Sequence, residues 1–370
     1  LISPIILPRW PILTGPMRLI NHLPSLAPDC YRCAMDTPAK TDVMPVIDLA
    51  PYLRGQPGAG AAIAAQLRVI QEDIGYYCVI NHGIGAEVIS NAIGQVRQFY
   101  DLALEERMKL SVDERSTGYV PLKSSVYVTS PLGDNDAAIR DLNENFRLVR
   151  ERPLDHPSIQ AGRRFTGPNK WPPVALLPDF KARMLSYYGA AEILGRALLP
   201  LYAGALGLAD NYFDPYFDDP TWLTRNVHYP PDAPKENQFA ASPHRDHSFL
   251  TILPMSPISG LQFQTASGEW MAPEYLENAI VVNSGEFMEN WTNGRFIASP
   301  HRVLAPGQDR YIIAFFFNPT WDVVSNPLPG CVTPDRPAQF TPIRFLDHLC
   351  NYVDGNYAKS SGGTLDDQAS

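Results

Sequence analysis

The sequence predicts a mainly β protein with flanking α-helices, its core a small barrel or sandwich of the jelly-roll kind. Three observations carry this. Residues 249–253, 260–264 and 279–283 are short strand-like runs, each the length of one strand and too short for a helix. Clusters rich in Gly, Pro, Ser and Asn punctuate them at 254–259, 266–268 and 292–294. Longer stretches with helical periodicity lie before and after this region, where they can flank a closed β core.

The whole chain bounds the function. Its 370 residues suffice for a sizeable core, and 45% hydrophobic with 19% charged residues is a globular composition. A net charge of −9 removes the electrostatic case for nucleic acid. No run approaches the ~20 apolar residues of a membrane helix. The partner expected is therefore a small molecule, with no nucleic acid and no membrane; oligomeric state is open. Cys30, Cys33, Cys78, Cys331 and Cys350 are an odd, scattered set, which fits a reducing, cytoplasmic compartment.

Taken in order, residues 1–43 read as an irregular N-terminal extension. The chain starts at Leu1 rather than Met, Pro4, Pro8, Pro11 and Pro16 forbid a helix, and Met35 and Met44 are candidate starts. Cys30 and Cys33 are read as incidental thiols. Residues 44–215 form an N-terminal helix and strand region. A strand over 46–49 leads to a helix over 61–72, with Ile63, Leu67 and Ile70 on one face. A strand over 76–81 turns at His82 and Gly83. One amphipathic helix is predicted over 87–109, with Val88, Ile89, Ile93, Val96, Phe99, Tyr100 and Leu104 inward. Residues 118–121 and 145–149 look extended. Arg147, Arg150, Glu151, Arg152 and Asp155 read as a solvated face from which one charge can reach a polar substrate. A long helix follows over 178–206, with Phe180, Met184, Tyr187, Tyr188, Leu194, Leu198 and Leu201 as its apolar stripe. Residues 216–325 form the β core. Residues 326–370 are a C-terminal helix, over 340–357, and a flexible tail.

The core carries the chemistry. His244 and Asp246 are two residues apart, so on an extended strand both side chains point to one face. His301 can return on a second strand. Two imidazoles and one carboxylate occupy one face of an octahedron and leave three positions open, which suits non-haem Fe(II); the same donors also hold zinc. His228 and His247 are expected to face away from the set.

Several segments carry a resemblance. They are Pro45-Val46-Ile47-Asp48-Leu49, Gly75-Tyr76-Tyr77-Cys78, Asn81-His82-Gly83-Ile84, Leu261-Gln262-Phe263-Gln264, Asn283-Ser284-Gly285-Glu286, Thr292-Asn293-Gly294-Arg295 and Ser299-Pro300-His301-Arg302-Val303. In this order they resemble the isopenicillin N synthase-like branch of the 2-oxoglutarate/Fe(II)-dependent dioxygenases, over roughly residues 44–355. The resemblance implies a double-stranded β-helix core, cupin-like, backed by the long helix. It makes His82 part of a structural loop. It implies Fe(II) held by His244, Asp246 and His301 as the catalytic centre, with 2-oxoglutarate as cosubstrate and O2 as oxidant. Tyr229 matches a position that contacts the cosubstrate. Arg310 matches the arginine that grips its C5 carboxylate through paired charge-assisted hydrogen bonds. Phe316 falls on the substrate side. Two positions depart from the pattern: Val227 stands where members often carry Asn, and Ile312 stands where the family's Arg-x-Ser motif has Ser. The implied reaction is oxidation of a small organic metabolite (hydroxylation, desaturation or cyclisation) coupled to decarboxylation of 2-oxoglutarate to succinate. The alternatives are a 2-oxoglutarate-independent Fe(II)/O2 oxidase of the same fold, and a non-catalytic metal-binding protein.

Overall fold

A computed structural model describes residues 43–130, 132–133 and 135–357. The readings made for Cys30, Cys33 and Met35, and for the tail beyond residue 357, fall outside the described residues. Strand β1 (Val46–Asp48) leads into α1 (Ala50–Leu53) and α2 (Ala59–Asp73). Then come β2 (Tyr76–Ile80), α3 (Ala86–Tyr100), α4 (Leu104–Met108), β3 (Gly118–Val120), β4 (Glu144–Val149), α5 (Pro157–Gln160) and α6 (Phe180–Leu206). The core adds β5 (Thr221–Tyr229), β6 (Ala241–His244), β7 (Leu250–Pro254), β8 (Leu261–Gln264), β9 (Trp270–Met271) and β10 (Ile280–Ser284). After α7 (Glu286–Trp291) follow β11 (His301–Val303), β12 (Arg310–Asn318) and α8 (Phe345–Tyr357).

The strands form two sheets. The larger runs β1-β2-β10-β7-β12-β5-β4-β3 and the smaller β6-β11-β8-β9. This is the jelly-roll, double-stranded β-helix arrangement, mainly β with helices outside it. Strands β10, β7 and β12 are buried along most of their length, because α6 covers one face and the barrel interior lies against the other. That two-sided burial explains near-continuous apolar runs such as Ile312-Ile313-Ala314-Phe315-Phe316-Phe317. Helix α6 buries Phe180, Met184, Tyr187, Tyr188, Leu194, Leu198 and Leu201, the whole predicted stripe. Among the described residues no helix is long and apolar enough to cross a membrane.

Three expectations need correction. The helix predicted over 87–109 is two, α3 and α4, because the inward stripe ends at Tyr100. That ring is pinned to the sheet by its hydroxyl, which donates to the Asn226 carbonyl. The chain then turns at Asp101, and Leu104, predicted inward, is 55% exposed. The C-terminal helix starts at Phe345 rather than 340, since Pro342 holds its predecessor extended. The charged run at 147–155 is not simply a solvated face. Arg152 is buried and pairs with Asp219, which also takes Arg150.

Candidate metal centre

The site forms where the small sheet meets the large one. Strand β11 pairs antiparallel with β6, and His301 sits opposite His244. Asp246 does not share their ladder: β6 ends at His244, and Asp246 lies just beyond it. Its backbone is held by α7 instead, where the Glu286 N–H donates to the Asp246 carbonyl at 2.7 Å. The three side chains converge all the same. Asp246 Oδ1 lies 3.8 Å from His244 Nε2 and 3.6 Å from His301 Nε2. All three residues are buried, and their donor atoms fall within 4.8 Å of one another.

Surrounding groups leave the facing atoms free for a cation. Asn283 Nδ2 and Thr251 Oγ1 both donate to Asp246 Oδ2, at 2.8 and 2.7 Å, so Oδ1 keeps its lone pairs. His244 Nδ1 is 2.7 Å from the Ser242 carbonyl and His301 Nδ1 is 3.2 Å from the Ser299 carbonyl. Each ring therefore carries its proton on Nδ1 and offers Nε2. The same tripeptide does this twice: Ser242-Pro243-His244 and Ser299-Pro300-His301, where the proline keeps the serine extended. The repeat is visible in the sequence, and it is the signal that marks both imidazoles as oriented alike. Tyr127 stacks on His244 at 3.6 Å and 6°; no sequence signal singled it out.

Electrostatics follow from burial. Burial, joined by the neighbouring His301, pushes His244 well below the usual imidazole value, so its ring is neutral and able to ligate. Burial would raise Asp246, but His301, His244 and the hydrogen bonds from Asn283 and Thr251 outweigh it, and the carboxylate stays ionised. A buried anion between two imidazoles, with one oxygen and two ring nitrogens unspent, fits a divalent cation.

Close backbone packing fixes the geometry. A Cβ on Gly285 would stand 2.3 Å from the Ser248 carbonyl oxygen and 2.8 Å from that of Asp246. Gly285→Ala must therefore displace the segment that carries Asp246. We expect metal affinity to fall about 10- to 100-fold, the usual scale for disturbing a ligand's support, as measured by metal titration of the folded variant. Unchanged affinity would contradict this account of the glycine.

Asp141 braces the same strand. Its Oδ1 accepts from the Ser242 N–H at 3.0 Å and from the Ser242 hydroxyl. Burial nevertheless pushes its carboxyl up to about 8. An unfolded aspartic acid titrates near ~3.9, so the stability this group contributes is complete below that value and is lost as pH rises through about 8. Asp141→Asn, neutral throughout, should show a smaller loss of Tm between pH 5 and pH 9 than the parent, and parallel profiles would refute it.

The remaining predicted residues fall as follows. Arg310 lies opposite Tyr229, and Ile312 opposite Val227, on β12 and β5. Arg310, Ile312, Ala314 and Phe316 share one face and line the same cavity as the three metal-ligand candidates, as period two predicts. Arg310 is 2% exposed. Its Nε donates to the Ile258 carbonyl at 3.0 Å, while Nη1 is buried with no hydrogen-bond partner. No carboxylate among the described residues pairs with it. His82 bonds the Asn278 carbonyl in a loop. His228 sits between Glu144 and Asp309, away from the metal-ligand candidates. His247 packs on Phe316 with ring centroids 4.7 Å apart, and burial pushes it down to about 3.

Comparison with known proteins gives concordant results. Residues 44–174 match the model for the N-terminal region of non-haem dioxygenases in morphine synthesis, and residues 220–319 match the 2OG-Fe(II) oxygenase superfamily. The chain is 30% identical over 330 residues to the 2-oxoglutarate-Fe(II) type oxidoreductase hxnY of Emericella nidulans, covering 86% of this chain and 90% of that one. It is 32% identical to the 2-oxoglutarate-dependent dioxygenase citB of Monascus ruber, covering 77% and 87%. Among solved structures, a Neurospora crassa protein in complex with alpha-KG and thymine has the same fold, with a TM-score of 0.73 at 23% identity, covering 83% of this chain and 95% of that one.

Proposed function

The chain belongs to the 2-oxoglutarate/Fe(II) oxygenase superfamily, and on that premise we propose that His244, Asp246 and His301 hold its iron while Arg310 and Tyr229 hold 2-oxoglutarate. It is a 2-oxoglutarate-dependent dioxygenase, an enzyme whose Fe(II), 2-oxoglutarate and O2 serve the oxidation of a small metabolite. Bound Fe(II) supplies the activation of O2 that couples decarboxylation of the cosubstrate to oxidation of the substrate.

The protein's own residues bind, orient and exclude water. The observation that carries the cosubstrate assignment is Arg310. A buried guanidinium with an unspent Nη1 and no protein counter-ion is costly unless an anion completes it. A carboxylate does so with two parallel bonds. Tyr229, whose ring lies 5.1 Å from the guanidinium carbon, flanks the same end. Ile312 and Val227, being cross-strand partners, pack on each other, so one apolar patch replaces two polar groups and leaves the grip to Arg310 and Tyr229. Phe316 and the chain's first half wall the substrate side: residues 216–325 carry the reaction, and residues 44–215 contribute Tyr127. Partners other than small molecules, nucleic acid and membrane included, are not part of this reading. Cys78, Cys331 and Cys350 are free thiols, which supports a cytoplasmic setting.

The test is the product balance. Purified enzyme supplied with Fe(II), 2-oxoglutarate and O2 should release succinate and CO2 in equal amounts. Oxygen uptake on addition of a substrate, with no succinate formed, would overturn the cosubstrate assignment.

A further inference from the structure

His228 takes no part in the metal centre, yet it stands directly behind the two residues assigned to the cosubstrate. It precedes Tyr229 on β5 and is the register partner of Tyr311, the residue after Arg310 on β12. Successive residues of a strand point to opposite faces. Tyr229 and Arg310 therefore line the metal-site cavity, while His228 and Tyr311 face α3. The His228 and Tyr311 rings stack at 4.7 Å and 11°, and the ring of Tyr100 on α3 lies 5.2 Å from the imidazole.

Both ring nitrogens of His228 meet carboxylates. Nδ1 lies 2.8 Å from Oε1 of Glu144, its register partner on β4, and Nε2 lies 2.7 Å from Asp309 Oδ1. Only an imidazolium donates from both nitrogens; a neutral ring donates from one. Burial would lower the pKa of this ring, but the bonds to Glu144 and Asp309 outweigh it and raise the value. The complete bridge therefore persists above the ordinary imidazole value of ~6.5 and is lost as pH rises through the raised one. The other charged and titratable groups nearby fit this balance. Arg107 of α4 and Tyr119 of β3 donate to Glu144 Oε2. From the end of α3, Arg97 and Asp101 act on Tyr311 in opposite senses. Arg107 and protonated His228 thus match Glu144 and Asp309 charge for charge, whereas a neutral ring leaves one carboxylate over.

The two carboxylates differ in what they can do next. Glu144 is buried, so a neutral ring keeps its proton on Nδ1 for it. The Asp309 side chain is 54% exposed and can turn to water. Among the described residues it has no other hydrogen bond or ion pair, and it leads straight into Arg310, the first residue of β12. We propose that His228 is a positioning residue for the cosubstrate: bridging Glu144 and Asp309 as an imidazolium, it fixes the start of β12 so that Arg310 meets the 2-oxoglutarate carboxylate, and cosubstrate affinity falls when the ring loses its proton.

This inference rests on the Arg310 reading, and its test separates the two. Variants are made at Asp309, because removing His228 would also strip buried Glu144 of a partner and endanger the fold. 2-Oxoglutarate is titrated anaerobically into full-length Fe(II)-loaded protein between pH 6 and pH 8.5. The parent Kd should rise about fivefold or more across that range, the lower end of ordinary coupling between two sites. Asp309→Asn should flatten the profile near the parent's low-pH affinity, because its amide accepts from a protonated Nε2 and donates to a bare one. Asp309→Ala should bind weakly at every pH. Slopes are compared between proteins, so titrations common to all of them, Asp141 included, cancel. A second readout needs neither iron nor cosubstrate. By NMR of the metal-free protein, the His228 ring should titrate above the ordinary imidazole value, and at lower pH in Asp309→Ala. A parent Kd that does not change with pH overturns the proposal. So does a slope retained in Asp309→Asn, or a His228 titration that is the same in Asp309→Ala. Failure of 2-oxoglutarate to bind at any pH would instead strike the Arg310 assignment and this inference with it, and the NMR titration would then report on the bridge alone.

Discussion

Asp246→Ala and His301→Ala will each give a protein that no longer retains Fe(II) and forms no succinate. Asp246 Oδ1 stands 3.8 and 3.6 Å from the two imidazole Nε2 atoms and all three donors lie within 4.8 Å of one another, in a buried setting where no described carboxylate or imidazole is placed to substitute. Losing Asp246 has a second cost, because Asn283 and Thr251 then point buried donors at nothing. An unsatisfied buried donor costs about 1–3 kcal/mol, so Asp246→Ala is expected to lower Tm as well. Asp246→Asn, whose amide oxygen in the place of Oδ2 still accepts from both, keeps more of the stability and still loses the anion. His301→Ala removes a ligand without orphaning either donor and isolates the metal effect. Iron analysis of the purified variants should show retention reduced more than about a hundredfold in affinity, beyond the range for second-sphere changes. Parent-like turnover in either alanine variant would remove the metal assignment.

Arg310→Ala should leave iron binding intact and weaken 2-oxoglutarate. Two hydrogen bonds to a charged partner, at about 1.5–3 kcal/mol each, make the loss roughly a hundredfold or more in Kd. Arg310→Lys should rescue little. A lysine ammonium is a point charge without the planar fork, and it cannot both bond the Ile258 carbonyl and meet a carboxylate in parallel. Equilibrium binding of 2-oxoglutarate to the Fe(II) protein measures this. A lysine variant with parent affinity would mean that charge alone matters. An alanine variant with parent affinity would place the cosubstrate elsewhere. Because Ile312 cannot donate where the family's serine does, this chain is expected to depend on its arginine more heavily than members that keep the serine.

Much of this architecture was written into the strand pattern. Residues 249–253, 260–264 and 279–283 became β7, β8 and β10 within a residue at each end, since short apolar runs between turn clusters have few other ways to be buried. The apolar stripe of α6 was equally plain. Local chemistry hid the rest. Nothing in the periodicity of α3 marks Asp101 as its end, because the break is set by where Tyr100 meets the sheet. The spacing of His244 and Asp246 suggested one strand, yet the pair converges through a strand end and a contact from α7. Asn283 and Thr251 were present in the sequence, but their aim at Asp246 depends on β10 and β7 meeting the segment just beyond β6. The charges at Arg147 and Arg152 looked alike in the sequence; only the fold separates a buried ion pair with Asp219 from a side chain lining a cavity beside Arg225. The short strands and the α6 stripe survive as read, whereas the end of α3 and the placements that need two elements in register come only from the fold.

The most direct test is anaerobic titration of the Fe(II)-loaded protein with 2-oxoglutarate, following the weak visible charge-transfer band of the iron chelate. The account predicts that the band appears and saturates in the parent, and that it is absent from His301→Ala and shifted to much higher concentration in Arg310→Ala. Iron that binds without any band on adding 2-oxoglutarate would contradict it.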